Sequence, residues 1–185
     1  MARYLEARGW EPGRLKSMRV IELGSGCTGV GGLTMSLLGA AEVVVTDQAP
    51  LLGTLRKNVE GARSAAAAAG VSMGAVAVHE LEWSEPEQVA PLGAPFDLVV
   101  CSDCTYSDLH YEILRDTAAS VCGPATEVIF VDTVRTRGLD ARFETVFGEQ
   151  FQIRRLKRAE LPFKDVPDGC EVAIMTLGGA GSRSM

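Results

Sequence analysis

The 185-residue sequence predicts an α/β protein: a mostly parallel sheet with helices on both faces, closed by an antiparallel C-terminal hairpin. Three observations carry this expectation. Short apolar runs alternate with amphipathic segments, the pattern of a parallel sheet covered by crossover helices. A glycine-rich turn joins the first apolar run to the first amphipathic segment. The last two apolar runs are separated by a turn-rich stretch without helical period, as in an antiparallel pair.

In chain order, Val20–Leu23 reads as the first strand, followed by the glycine turn and a helix with Val30, Leu33, Leu37 and Leu38 on its apolar face. Val43–Val45 is a second strand. The next helix carries Leu51, Leu52, Leu55 and Val59 and extends through the run Ala65 to Ala69, because alanine has the highest helix propensity. Ala75–Val78 is a weak third strand, and Pro86 sits in the first turn of a short helix. Phe96–Cys101 is near-continuously apolar, as suits a strand covered on both faces. A helix with Leu109, Ile113, Leu114, Ala118 and Val121 inward comes next. Val128–Val131 is the fifth strand, and a helix over 138–148 turns Leu139, Phe143, Val146 and Phe147 inward. Phe151–Leu156 and Val172–Leu177 form the closing pair. The chain is thus expected to be one domain over residues 1–177, with a flexible tail over 178–185.

Composition narrows the function. A 46% hydrophobic, 23% charged chain lies well inside the globular range. Its net charge of −6 argues against a nucleic-acid substrate, since affinity for a polyanion comes mainly from Lys and Arg. The segment from Arg135 to Arg158 is locally basic, with Arg135, Arg137, Arg142, Arg154, Arg155, Lys157 and Arg158; it is read as a solvated face, with an acidic docking partner as the alternative. Five cysteines, an odd number, are expected to be free thiols. Cys101 and Cys104 have C-x-x-C spacing, but two histidines and no second pair leave a metal site short of ligands, so no metal is expected. The N-terminus has no signal-like apolar stretch and no run reaches about 18 apolar residues. A cytoplasmic protein, also present in the nucleus, is expected, without membrane association.

The chemistry begins at Glu22-Leu-Gly-Ser-Gly-Cys-Thr-Gly29. Gly24, Gly26 and Gly29 form G-x-G-x-x-G between strand and helix, where missing side chains permit a tight turn and close ligand approach. Asp47 ends the next strand, where a carboxylate can accept hydrogen bonds from both ribose hydroxyls. Together they indicate an adenosine-containing cofactor. Nicotinamide cofactors use the same loop and acid, but Glu22, two residues before the first glycine, would repel a pyrophosphate and suits a cationic ligand. The chain is also short for a full dinucleotide fold with a substrate domain. Ser102 to Tyr106 then follows the fourth strand at its carboxyl end, where open α/β sheets bind ligands.

The residues Glu22–Gly29, Thr46-Asp47, Leu55 with Asn58, Leu81–Trp83, Phe96–Leu98, Ser102-Asp103 with Tyr106, and Arg135 followed by Phe143 resemble the methyltransferase-like 21 and related seven-β-strand protein-lysine methyltransferases, the methyltransferase family 16 group. The resemblance covers about residues 18 to 156, and Asp103-x-x-Tyr106 is its most specific part. It implies a Rossmann-like, seven-stranded class I methyltransferase sheet, S-adenosyl-L-methionine as cofactor and a protein lysine as substrate. By the same resemblance, Glu22, Gly24, Gly26 and Gly29 would line the methionine part of the cofactor, Asp47 would hold the ribose and Trp83 would lie against the adenine. Ser102 and Asp103 would border the methyl-donor end, with Asp103 and Tyr106 shaping the lysine channel. A methyltransferase of another side chain or a small molecule, and a catalytically silent module that keeps the cofactor fold, are the alternatives.

Overall fold

The computed structural model describes residues 1–11, 13–133 and 141–178. Seven strands form one sheet: β1 (Arg19–Leu23), β2 (Glu42–Asp47), β3 (Ala75–Glu80), β4 (Phe96–Ser102), β5 (Cys122–Thr133), β6 (Phe151–Leu156) and β7 (Cys170–Leu177). Their spatial order is β3-β2-β1-β4-β5-β7-β6. The first five pair in parallel, while β7 runs antiparallel to both β5 and β6. The chain order reverses direction between β1 and β4, so the loops after these two strands leave toward opposite sides and open a crevice between them.

The period-2 alternation of each strand feeds two cores. Ile21, Leu23, Val99, Cys101, Val128 and Phe130 face the helices α4 (Tyr111–Ser120) and α5 (Ala141–Phe147). Val20, Val43, Val45, Leu98, Val100, Ile129 and Val131 face α1 (Ala2–Ala7), α2 (Val30–Leu37) and α3 (Ala49–Ala68). Phe130, Phe143 and Phe147 anchor the first core, with Phe143 and Phe147 stacked 4.3 Å apart and Phe130 edge-on to both. Such aromatic clusters bury large areas in preferred geometries.

The expected architecture is observed, with corrections in detail. The fifth strand is longer than its apolar centre, because Cys122 pairs opposite Phe96 before the register shifts. The buried stripe of α2 is Gly31, Gly32, Met35 and Ser36, whereas Val30 and Leu37, expected inward, are exposed. Leu51 is also exposed, and Leu109 belongs to a 3-10 turn, Asp108–His110, that precedes α4 and stands in solvent. Cys27 is exposed. The expected positions Leu139 and Arg135, and the tail beyond Gly178, lie outside the described residues.

In the described part of the basic stretch, several arginines are paired with carboxylates. Arg142 pairs with Glu112 (3.0 Å), Arg154 with Glu160 (3.0 Å), and Arg155 with Glu144 (3.2 Å) and Glu171 (2.6 Å). These pairs are at the surface, and Arg137 lies outside the described residues. No helix among the described residues is long and apolar enough to cross a membrane.

Candidate active site

The glycine turn is held from three directions. The Ser25 amide donates to the Thr46 carbonyl (2.9 Å), and the Gly29 amide to the Ser25 carbonyl (2.9 Å). The Gly26 amide donates to Asp47 Oδ2 (2.7 Å), while Asp47 Oδ1 accepts from the Gln48 amide (2.8 Å). From α3, Asn58 Nδ2 donates to the Cys27 carbonyl (2.7 Å). Asp47 thus shapes the turn as well as facing the crevice, since a carboxylate that accepts two backbone amides fixes both. Its remaining lone pairs stay available to a ligand.

Each glycine of the motif has its own reason. Gly24 has φ +64°, and a Cβ there would lie 3.0 Å from Cys104 Sγ and 3.1 Å from Trp83 Cζ2. Gly26 has φ +61° and nothing within 4 Å of where a Cβ would stand, so its backbone is open to a ligand. Gly29, φ +61°, precedes α2, and a Cβ there would lie 2.8 Å from Leu55 Cδ1. Gly29 therefore serves helix packing and does not line the cavity, unlike the other two.

Glu22 is 2% exposed, and its carboxylate lies under the first turn of α2. Oε1 accepts from the Gly31 amide (2.9 Å) and Oε2 from the Gly32 amide (2.9 Å). A side chain from β1 thus caps two amides that a helix start leaves without intrahelical partners. Burial pushes its carboxyl up to about 7, against the opposing pull of these amides. The expectation of a carboxylate turned to a cationic ligand is modified: Glu22 reaches the cavity wall, but both oxygens already serve the helix.

The opposite wall comes from the chain after β4. Asp103 is exposed and takes φ +52°, the one non-glycine positive φ among the described residues. Its amide donates to the Val131 carbonyl (3.0 Å), and its Oδ1 accepts from the Thr133 amide (2.8 Å). Cys104 is buried, donating its thiol to the Leu23 carbonyl (3.3 Å) and joining the two walls. Cys101 is fully buried, and burial raises its thiol well above the ordinary range. Cys101 therefore serves packing, since the reactive form of a cysteine is the thiolate, and Cys104 is buried beside it. Tyr106 is 69% exposed at the rim, with its ring edge-on to His110 at 5.8 Å. Trp83 packs partly against the core while its ring edge faces the glycine turn; its carbonyl accepts from Thr117 Oγ1 (2.9 Å).

These walls enclose a cavity of about 580 Å³. Glu22, Gly24, Gly26, Asp47, Trp83, Ser102, Asp103 and Tyr106 all line it. Of the residues singled out in the sequence, Gly29 is the exception. Further lining residues are Gln48, Leu51, Glu82, Cys104, His110 and Ile113. Leu51 and Ile113 read in sequence as core positions of helices, so periodicity hid their place at the cavity. Gln48 and His110 carry no local signal, because only the fold brings them to the crevice.

The profile of a family described as lysine methyltransferase matches residues 1–149. A calmodulin-lysine N-methyltransferase of Arabidopsis thaliana is 32% identical over 133 residues, spanning 70% of this chain and 42% of the relative. EEF1A lysine methyltransferase 3 of Xenopus tropicalis is 31% identical over 144 residues, 77% of this chain and 59% of the relative. The chain thus spans about half the length of these curated relatives. Among solved structures, a predicted O-methyltransferase from Agrobacterium tumefaciens shares the fold with a TM-score of 0.64 at 16% identity, covering 97% of this chain and 81% of that one. With the family profile matching most of its length and two relatives above 30% identity, the chain belongs to the lysine methyltransferase family.

Proposed function

We propose that the protein is an S-adenosylmethionine-dependent methyltransferase acting on a lysine side chain of a protein substrate. The observation that carries this reading is the convergence of Gly24, Gly26, Asp47, Trp83, Asp103 and Tyr106 on one cavity at the carboxyl ends of β1, β2 and β4. Its volume of about 580 Å³ suits a cofactor-sized ligand. The relatives named for lysines of calmodulin and EEF1A support a protein target. The net charge of −6 disfavours nucleic acid.

The residues fit the cofactor. Gly26 offers open backbone to the methionine portion, Asp47 has lone pairs for the ribose hydroxyls, and the Trp83 ring gives a flat apolar wall for the adenine. S-adenosylmethionine, when bound, supplies a methyl group on a sulfonium. The chain's part is to align a neutral amine with that methyl and to exclude water, the positional contribution to catalysis. Ser102 and Asp103 line the cavity where they would border the donor end of the bound cofactor, and Tyr106 with His110 forms an aromatic rim along which a lysine stem could pass. A lysine ammonium must lose its proton before attack. Burial in the channel lowers its pKa whereas a nearby carboxylate raises it, so Asp103 orients the amine and is not a simple base.

Incubation with methyl-labelled cofactor and a protein extract tests the reading. The expected result is label on protein, recovered as methyl-lysine after acid hydrolysis. Tight S-adenosylhomocysteine binding with no label on any protein would replace the enzyme by a silent binding module.

A further inference from the structure

Asp132, near the end of β5, belongs to none of the sequence motifs and does not line the cavity, yet the loop after β4 depends on it. Ser102 pairs with Val131 at the last rung of the parallel ladder, so Asp103 and Asp132 stand side by side beyond it. From there the chain turns through the left-handed conformation of Asp103 (φ +52°), which costs about 1 kcal/mol or more for a non-glycine residue and must be over-determined by its surroundings. Two crossing sets of hydrogen bonds provide that. The Thr133 amide donates to Asp103 Oδ1 (2.8 Å). In return, Asp132 Oδ1 accepts from Thr105 Oγ1 (2.7 Å) and from the Thr105 amide (3.4 Å). Each carboxylate therefore holds the strand extension that carries the other.

Asp132 is 3% exposed. Its Oδ2 has no hydrogen-bond partner among the described residues, a costly arrangement for a buried carboxyl. Burial pushes the group up to about 6, and the neighbouring Asp103 and Glu171 act in the same direction. A leucine or valine there would avoid that cost and continue the apolar pattern of β5. What an apolar residue cannot do is grip Thr105, one of the two residues between Asp103 and Tyr106.

We infer that Asp132 is a positioning residue for the Asp103–Tyr106 segment: through Thr105 it fixes the backbone that presents Asp103 and Tyr106 to the substrate amine. The inference rests on reading the cavity as a methyl-transfer site. Asp132→Ala and Thr105→Val each remove one end of the same clamp. Each is expected to lower kcat for methyl transfer at least about tenfold, the loss expected for a hydrogen bond to a charged acceptor. S-adenosylhomocysteine affinity should stay within about threefold, and the double variant should lose no more than either single one. Asp132→Asn keeps the Oδ1 acceptor and should restore most of the turnover; failure to do so would count against the clamp.

Amide hydrogen exchange over 103–106 gives a readout independent of activity. In Asp132→Ala and Thr105→Val these amides should exchange at least about tenfold faster while those of β1 stay protected. Unchanged exchange, or additive losses in the double variant, would overturn the inference. If the wild-type chain transfers no methyl group, the functional reading fails, and the exchange experiment still decides the clamp.

Discussion

Glu22 Oε1 accepts a hydrogen bond from the Gly31 amide at 2.9 Å, and a Cβ on Gly31 would lie 2.5 Å from that same oxygen. The pair explains two oddities of the sequence together: an acid inside an apolar strand and two consecutive glycines inside a helix. The acid caps the helix from the strand, and the glycines let the helix lie low enough to be capped. A Cβ on the neighbouring Gly32 would likewise overlap Val45 Cγ1.

Gly31→Ala is therefore expected to destabilise the protein although alanine is the better helix former. The propensity gain is about 1 kcal/mol. Displacing the buried carboxylate from its two amides costs about 2 to 4 kcal/mol. Urea unfolding should give a lower midpoint for Gly31→Ala, with the slope unchanged; a higher midpoint would contradict the capping account.

Stability should fall as pH rises through the neutral range. Glu22 and Asp132 have folded-state values of about 7 and about 6, above their ordinary 4.5 and 3.8. The folded protein thus keeps protons that the unfolded chain releases. This stabilisation is present in full below about pH 4 and is lost progressively up to about pH 7, a change on the order of a few kcal/mol. Glu42, Asp116 and Glu160 are lowered by their Arg19, Arg115 and Lys157 partners and lose their contribution only at more acidic pH. Urea midpoints at about pH 5 and about pH 8 should differ in favour of the lower pH. The gap should shrink in a Glu22→Gln, Asp132→Asn double variant; a gap of the same size would assign the dependence to other groups.

Gly24→Ala should weaken cofactor binding more than folding. The new methyl group meets Cys104 Sγ at 3.0 Å and Trp83 Cζ2 at 3.1 Å, and the backbone is held at φ +64°. Trp83 is the neighbour with room to move, because it stands at the cavity and is only partly buried. Calorimetric titration with S-adenosylhomocysteine should show a loss on the order of tenfold or more, as expected when a close-fitting wall is displaced. Wild-type affinity would mean that Trp83 does not contact the cofactor.

Much of the sheet was legible because strands covered on both faces must be apolar, and the glycine turn and Asp47 were legible because their chemistry is local. The face of α2 was not. Its orientation follows from Glu22 and Val45 pressing on Gly31 and Gly32, and a helix seated by glycines leaves no apolar stripe to count. Gly29 matched the motif yet faces Leu55, since spacing reports a turn and not which glycine meets a ligand. Asp132 had no signal either, because its partner Thr105 is distant in sequence and only the β4–β5 pairing brings them together.

Methyl transfer to lysine, as proposed, takes place beside Asp103 on the cavity wall. It is tested most directly by comparing single-turnover transfer of labelled methyl by the wild-type chain and by Asp103→Ala, at saturating cofactor and with S-adenosylhomocysteine affinity measured in parallel. The expected result is a fall in transfer of about a hundredfold or more, with affinity within about threefold, the signature of a lost alignment in the transition state. Wild-type turnover in Asp103→Ala would contradict it.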